Sequence, residues 1–101
     1  MWELDEIIRR LNKHHQRATF SAVAGLVGGL PRGLMHGRPR CQRDSWIVAK
    51  TTNQNRESWR GWPTGYIEEE VHPKCNWQCD NDRANFIDHP DELEQWLNGH
   101  P

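Results

Sequence analysis

The sequence predicts an α+β fold for a single domain over residues 1–101: a helix-turn-helix, a small β-hairpin wing in a winged-helix-like arrangement, and a C-terminal helix. Three observations predict it. Apolar residues recur at helical spacing near the start, a pair of glycines separates two further helical segments, and a β-favouring run precedes a well-capped final helix. Six tryptophans supply much of the buried area that so short a chain needs for a core.

The first helix is predicted over residues 2–14. Its apolar face consists of residues spaced three or four apart, Leu4, Ile7, Ile8 and Leu11. A second helix follows, with Thr19 or Ser21 as its N-cap and Gly28 at its end, because glycine readily adopts the left-handed conformation common there. A short third helix is predicted over residues 31–36, and the helix, glycine turn and short helix together form the helix-turn-helix pattern.

The wing is predicted from a β-favouring strand over residues 45–50 and a polar, basic loop over residues 51–60. A return strand over residues 61–67 would complete it, interrupted by Pro63. The aromatic residues of this region are Trp59, Trp62 and Tyr66. They would stack on bases if exposed, but we expect at least two of the three to be buried, as tryptophan in a small domain usually is.

An acidic segment over residues 68–85 has no clear periodicity and is predicted to be irregular. The final helix begins at Pro90, with Asp88 or His89 as its N-cap, and ends at Gly99. Its core contacts are expected from Phe86, Leu93, Trp96 and Leu97.

The charge distribution is strongly asymmetric although the formal net charge is only −1. Residues 9–60 carry eleven Lys or Arg and two acids, whereas residues 61–101 carry two Lys or Arg and nine acids. A basic stretch of this kind is typical of a protein that binds the phosphate backbone. A dipolar surface without a partner explains the same charges, so charge alone leaves both interpretations open.

The segment over residues 19–32, TFSAVAGLVGGLPR, resembles the helix-turn-helix of the O6-alkylguanine DNA alkyltransferases, where Thr-Tyr-Gly-x-(Val/Ile)-Ala opens the first helix of the motif. Phe20 matches the aromatic residue of that pattern, and Arg32 the arginine that enters the base stack. The family's non-catalytic alkyltransferase-like branch often replaces the reactive cysteine with tryptophan, and Trp46 stands at the comparable place. The resemblance covers roughly residues 17–52 and implies a winged helix-turn-helix that binds DNA without catalysis.

We therefore expect a non-catalytic protein that binds double-stranded DNA. Arg32 is expected at base edges because it lies near the start of the recognition helix. Phosphate contacts are expected from Arg38, Arg40, Arg43 and Lys50, with Arg56 and Arg60 adding charge on the wing. The predicted DNA-binding residues are Phe20, Ser21, Arg32, Arg38, Arg40, Arg43, Trp46 and Lys50. The target, whether a regulatory site, a lesion or any duplex, stays open.

Other functions fit parts of the sequence. Zinc would be held by His72, Cys75 and Cys79 with Cys41 or His89, but the spacing is not the usual close cysteine pair, and we predict no cofactor and no metal. An enzyme would use Cys41 as a nucleophile in its basic surroundings, yet no base is indicated beyond the nearby His36. A protein-protein interaction adaptor would use the Trp-rich surface and the acidic C-terminal part.

The compartment is predicted from three features. No apolar run approaches the roughly 20 residues that span a bilayer, so no membrane is expected. The first residues are acidic, which is unlike a signal peptide. The three cysteines are an odd number without a disulfide pattern, which favours a reduced, cytoplasmic compartment.

Overall fold

The computed structural model describes residues 2–49, 62–82 and 85–101. Within them, four α-helices and three short strands form an α+β fold, which confirms the predicted class. The helices are α1 (Leu4–His14), α2 (Phe20–Val27), α3 (Pro73–Asn81) and α4 (Pro90–Gly99). The strands are β1 (Arg17–Thr19), β2 (Ile47–Val48) and β3 (Phe86–Ile87), and 3-10 turns cover Pro31–Gly33, Gln42–Asp44 and Glu68–Glu70.

The sheet is parallel, with β1 in the centre between β2 and β3. Ala18 pairs with Ile47 on one side and with Ile87 on the other. All three residues of β1 are buried, as parallel strands covered on both faces usually are. Strand β1 was not predicted, because three residues beginning with a charged Arg17 carry no recognisable strand pattern.

The first two helices confirm the prediction from the N-terminal pattern. Helix α1 buries Ile7, Ile8 and Leu11, and it ends at His15, which has a left-handed φ of 55°. Helix α2 starts where the Thr19 hydroxyl accepts a hydrogen bond from the Ala22 amide at 3.1 Å. Its end at Gly28, with a φ of 80°, is the left-handed termination expected of glycine.

The third helix is shorter than predicted. Instead of residues 31–36, only Pro31–Gly33 form a 3-10 turn, and further turns continue to Gly37 at a φ of 79°. Gly33 weakens a helix by about 1 kcal/mol relative to alanine. None of the residues of this 3-10 turn is buried, so tertiary packing does not compensate for the low helix propensity.

The predicted wing differs from what the structure shows. Strand β2 occupies only part of residues 45–50, and it pairs in parallel with β1 and not with a following strand. The return strand was wrong for residues 62–67, none of which lies in a strand. Pro63 has no amide to donate to a ladder, and one backbone bond from Ala49 to Trp62 at 2.9 Å joins the two segments. Residues 50–61, which include the whole of the loop predicted over residues 51–60, lie outside the described residues.

The prediction of an irregular segment over residues 68–85 was also wrong, because helix α3 lies within it. Pro73 occupies the first turn of α3, and the His72 ring accepts from the Lys74 amide at 3.0 Å as a side-chain cap. The helix buries only Cys75 and Cys79, one turn apart. So narrow a buried face leaves little apolar periodicity for a sequence pattern to detect.

The core lies between the sheet and the helices that cover it. Trp46 and Trp62 are among its largest fully buried side chains, and Tyr66 is buried with them. Burial of Trp62 and Tyr66 confirms the expectation for this aromatic group. Helix α4 starts at Pro90 as predicted and adds Leu93 and Leu97. No described helix combines the length and apolar character that crossing a membrane requires.

Gly25 allows helices α2 and α4 to pack closely. A Cβ atom placed on Gly25 would lie 2.4 Å from Cγ and 2.8 Å from Cβ of Pro90. Alanine usually stabilises a helix by about 1 kcal/mol over glycine. Here we expect Gly25→Ala to lower the free energy of unfolding by about 1–2 kcal/mol, because the rigid proline ring cannot move aside.

Urea unfolding followed by tryptophan fluorescence measures this loss. The matched control is the same change in a Pro90→Gly background, which removes both clashing atoms and should make Gly25→Ala neutral or stabilising. A stabilising Gly25→Ala in the otherwise unchanged chain would contradict the close packing.

Candidate nucleic-acid interface

A groove of about 620 Å³ lies where the start of α2, the turns after it and the edge of β2 meet. Its apolar walls come from residues of four different segments, including Phe20, Met35, Ile47 and Tyr66. Basic side chains also line it, namely Arg32, His36, Arg38 and Arg40. A concave surface with apolar walls and a few polar groups is a typical binding site. The structure therefore brings three of the predicted arginines around one groove.

Arg32 lies on the 3-10 turn Pro31–Gly33 and is exposed. The preceding Leu30 is 79% exposed, so this turn protrudes from the surface. Within the part of the chain that the structure describes, no acidic side chain pairs with Arg32. Its five donors are thus available to a ligand at this edge of the groove.

Arg40 lines the groove from a different segment than Arg32, and its guanidinium lies over Gly65. A Cβ atom at Gly65 would come within 3.0 Å of the Arg40 Nη2 atom, and Gly65 has a φ of +82°. Glycine is therefore favoured here both by its backbone conformation and by the closeness of the guanidinium. Arg40 is exposed, and no carboxylate among residues 2–49, 62–82 and 85–101 binds it.

Arg38 and Arg43 are held by acids of the protein itself. Arg38 donates to Asp44 at 3.0 Å and to Asp5 at 2.8 Å, and Arg43 donates to Asp44 at 3.2 Å. Asp44 is only 3% exposed. Burial alone would lower the pKa of Arg38, but the hydrogen bonds to Asp44 and Asp5 raise it overall. Part of the positive charge of both arginines is therefore neutralised inside the protein.

Trp46 is buried in the core and does not line the groove. Its indole Nε1 donates to the Asn12 Oδ1 atom at 2.8 Å, and its ring stacks on His15 with centroids 5.5 Å apart. The ring is fully covered by the surrounding side chains. A buried indole with its N–H satisfied packs the structure and offers no surface to DNA.

The remaining predicted residues lie in different surroundings. Phe20 is half-buried and lines the groove, and Ser21 beside it is exposed. Lys50 lies outside the described residues, as do Arg56 and Arg60.

Tyr66 forms part of the groove wall and carries the one phenol of the chain. Burial raises the pKa of Tyr66 to about 12, and the negative charge of Asp44 adds to this shift. The phenol is therefore neutral at physiological pH and acts as a hydrogen-bonding wall, not as a charged group.

The residues considered for zinc do not converge. His72 uses its Nδ1 atom to cap α3, and the Cys75 thiol donates to the Ser45 carbonyl at 3.3 Å. Burial lowers the pKa of His72, and the neighbouring His15 and Lys74 lower it further. No group of three or more His, Cys, Asp or Glu with the geometry to hold a metal occurs among the described residues.

Two features were not predicted from the sequence: the pairing of Asp44 with Arg38 and Arg43, and the place of Tyr66 in the groove wall. Asp44 is the single acid between Arg9 and Lys50, so its role as a counter-ion to the arginines on either side was detectable in principle. The contribution of Tyr66 could not be predicted from the sequence, since it depends on tertiary contacts between segments about 20 to 45 residues apart.

No protein-family model, curated protein or solved structure matches this chain.

Proposed function

We propose that this protein is a non-catalytic binder of duplex DNA and that the groove between Arg32 and Arg40 is its contact surface. The observation that carries the proposal is that both arginines are exposed, flank the same groove and have no acidic partner in the described residues. Phosphate oxygens are the ligands that such arginines bind best. In this proposal Arg32 reaches base edges and Arg40 binds the backbone.

The proposal keeps the helix-turn-helix interpretation for residues 19–36. In this proposal helix α2 would lie across the sugar-phosphate backbone of the DNA. The protruding turn at Arg32 would enter the major groove of the duplex. The DNA target in this proposal is a damaged base, a regulatory sequence or any duplex. Lys50, Arg56 and Arg60, which lie outside the described residues, would add their charges to the contact in this proposal.

The arginines of the site are expected to contribute unequally. Arg40 is free to bind a phosphate, whereas Arg38 must give up contacts with Asp5 and Asp44 to do so. We expect Arg40→Ala to reduce the slope of log K against log salt by about 0.9, the value for one phosphate contact. Arg38→Ala should change that slope less.

Fluorescence anisotropy with a labelled random duplex, measured over a series of salt concentrations, gives both slopes. Arg9→Ala is the matched control, because Arg9 is also exposed but lies on α1, is paired with Glu6 and does not line the groove. Equal effects of Arg40→Ala and Arg9→Ala would argue against the groove as the contact surface.

A protein-protein interaction adaptor is the second candidate. Trp77 favours it, because this side chain is 59% exposed on α3. The acidic residues of the C-terminal part would complete such a surface. Absence of any DNA binding at low salt, together with Trp77-dependent capture of a partner, would support the adaptor in place of the DNA binder.

A further inference from the structure

The apolar walls of the groove have no ligand in the DNA-binding proposal. Phosphates and base edges are polar, so the contacts assigned to Arg32 and Arg40 leave these walls unused. Two aromatic rings, those of Phe20 and Tyr66, belong to the walls, together with the Met35 thioether. The volume of about 620 Å³ lies within the range of about 300–1,000 Å³ that is usual for small-molecule sites. The groove is therefore large enough for a small organic ligand.

The aromatic walls are held in place by the protein core. Phe20 is the first residue of α2 and packs half-buried against the core, as does Met35 from the turns after α2. Tyr66 is buried, and its carbonyl accepts a hydrogen bond from the Trp62 indole Nε1 at 3.2 Å. Aromatic rings and a thioether pack favourably against another aromatic ring. These walls therefore favour a flat, aromatic ligand.

The charge of the lining favours an anion. Arginines line the groove, and no acidic side chain does so among the described residues. Arg38 is already bound by two carboxylates of the protein, so the charge left for a ligand comes from Arg32 and Arg40. The guanidinium of Arg40 lies over Gly65, the residue next to Tyr66, and so stands beside an aromatic wall. A carboxylate can accept two parallel hydrogen bonds from such a group.

We propose that the groove binds a small aromatic carboxylate, with its ring against Phe20 and Tyr66 and its carboxylate on Arg40. Binding of the acid does not depend on the DNA-binding proposal. One consequence does rest on it: since Arg40 is also the proposed phosphate contact, the acid and the DNA compete for the groove. The aromatic acid is then a regulator that releases the protein from DNA.

Isothermal titration with 2-naphthoate tests the site, and the neutral 2-naphthamide is the matched ligand. We expect the acid to bind with a Kd below about 1 mM and the amide about tenfold more weakly, because the amide lacks the charge-assisted contact. Arg40→Ala should abolish the preference for the acid, whereas Arg9→Ala, on a different surface, should keep it. Equal binding of acid and amide, no binding of either, or an unchanged preference in Arg40→Ala would overturn the proposal.

A second variant tests the aromatic wall. Phe20→Leu keeps a half-buried apolar side chain but removes the ring, and we expect it to weaken 2-naphthoate about two- to tenfold. The ¹³C-labelled methyl group of Met35, assigned with Met35→Leu, should shift in the nuclear magnetic resonance spectrum because the bound ring lies close to it. A Met35 signal that stays unchanged at saturation would place the acid elsewhere and overturn the proposal.

Competition with DNA is measured by anisotropy of the labelled random duplex. Saturating 2-naphthoate should release the duplex, and 2-naphthamide at the same concentration should release much less. A protein that binds the acid but no DNA would support the acid site and contradict the DNA-binding proposal. A protein that binds DNA but not the acid would contradict the acid site alone. DNA that stays bound at saturating acid would overturn the competition.

Discussion

Replacing Trp46 with alanine is expected to lower the free energy of unfolding by about 3–5 kcal/mol, the usual cost of removing a buried aromatic ring. That is a large part of the roughly 5–15 kcal/mol that holds a typical domain together. The ring is fully buried, and its N–H is bound to Asn12 at 2.8 Å. The change therefore leaves a cavity and also removes the only partner described for the Asn12 side chain.

Denaturant unfolding followed by circular dichroism measures the loss. Two milder variants divide the effect: Trp46→Phe keeps most of the packing, and Asn12→Ala removes only the hydrogen bond, at about 1–3 kcal/mol. The proposed DNA binding should be retained in Trp46→Phe and should fall in Trp46→Ala only as far as folding does. Loss of binding by a fully folded Trp46→Phe would instead place the indole in contact with DNA.

For the proposed DNA binding, replacing Asp44 with asparagine is expected to raise the affinity about tenfold at low salt, because one added charge-assisted contact contributes about 1.5 kcal/mol or more. Asp44 neutralises Arg38 and Arg43 at 3.0 and 3.2 Å, so removing its charge makes Arg43 available to phosphates and leaves Arg38 paired only with Asp5 among the described residues. Each added phosphate contact steepens the salt dependence by about 0.9. Stability should fall by about 1–3 kcal/mol, because two charge-assisted hydrogen bonds weaken.

Anisotropy titrations over a salt series and urea unfolding measure the two effects on the same protein. Asp5→Asn is the matched control, since Asp5 pairs only with Arg38 among the described residues and its side chain is 70% exposed. Its effect on affinity and on stability should be smaller. A folded Asp44→Asn protein with unchanged or weaker DNA binding would contradict the proposed contribution of these arginines.

The helices that were predicted correctly carry their signals locally. Helix α2 is bounded by the Thr19 cap and by Gly28, and α4 begins at a proline, so a few neighbouring residues determine each boundary. Helix α3 was missed because it buries only two cysteines, which the sequence suggested as metal ligands. The local signal was present in Pro73, but no apolar face confirmed it.

The sheet was the least predictable part of the fold. Its strands are two or three residues long, and each pairs with a segment far away in sequence. A hairpin was expected for β2 because hairpins join neighbouring segments, whereas parallel pairing requires a crossover. The same limit applies to the groove: Arg32 and Arg40 were identified by charge, but the pairing of Arg38 and Arg43 with Asp44 depends on tertiary geometry.

The position of β1 in the centre of the sheet also governs the order in which this chain can fold. Ala18 must pair with Ile47 and with Ile87, contacts that span most of the chain. Neither edge of β1 is paired with a segment close to it in sequence, so β1 completes its hydrogen bonds only after β3 has been synthesised. Such a topology favours slow, late and cooperative folding, in which the C-terminal segment closes the structure.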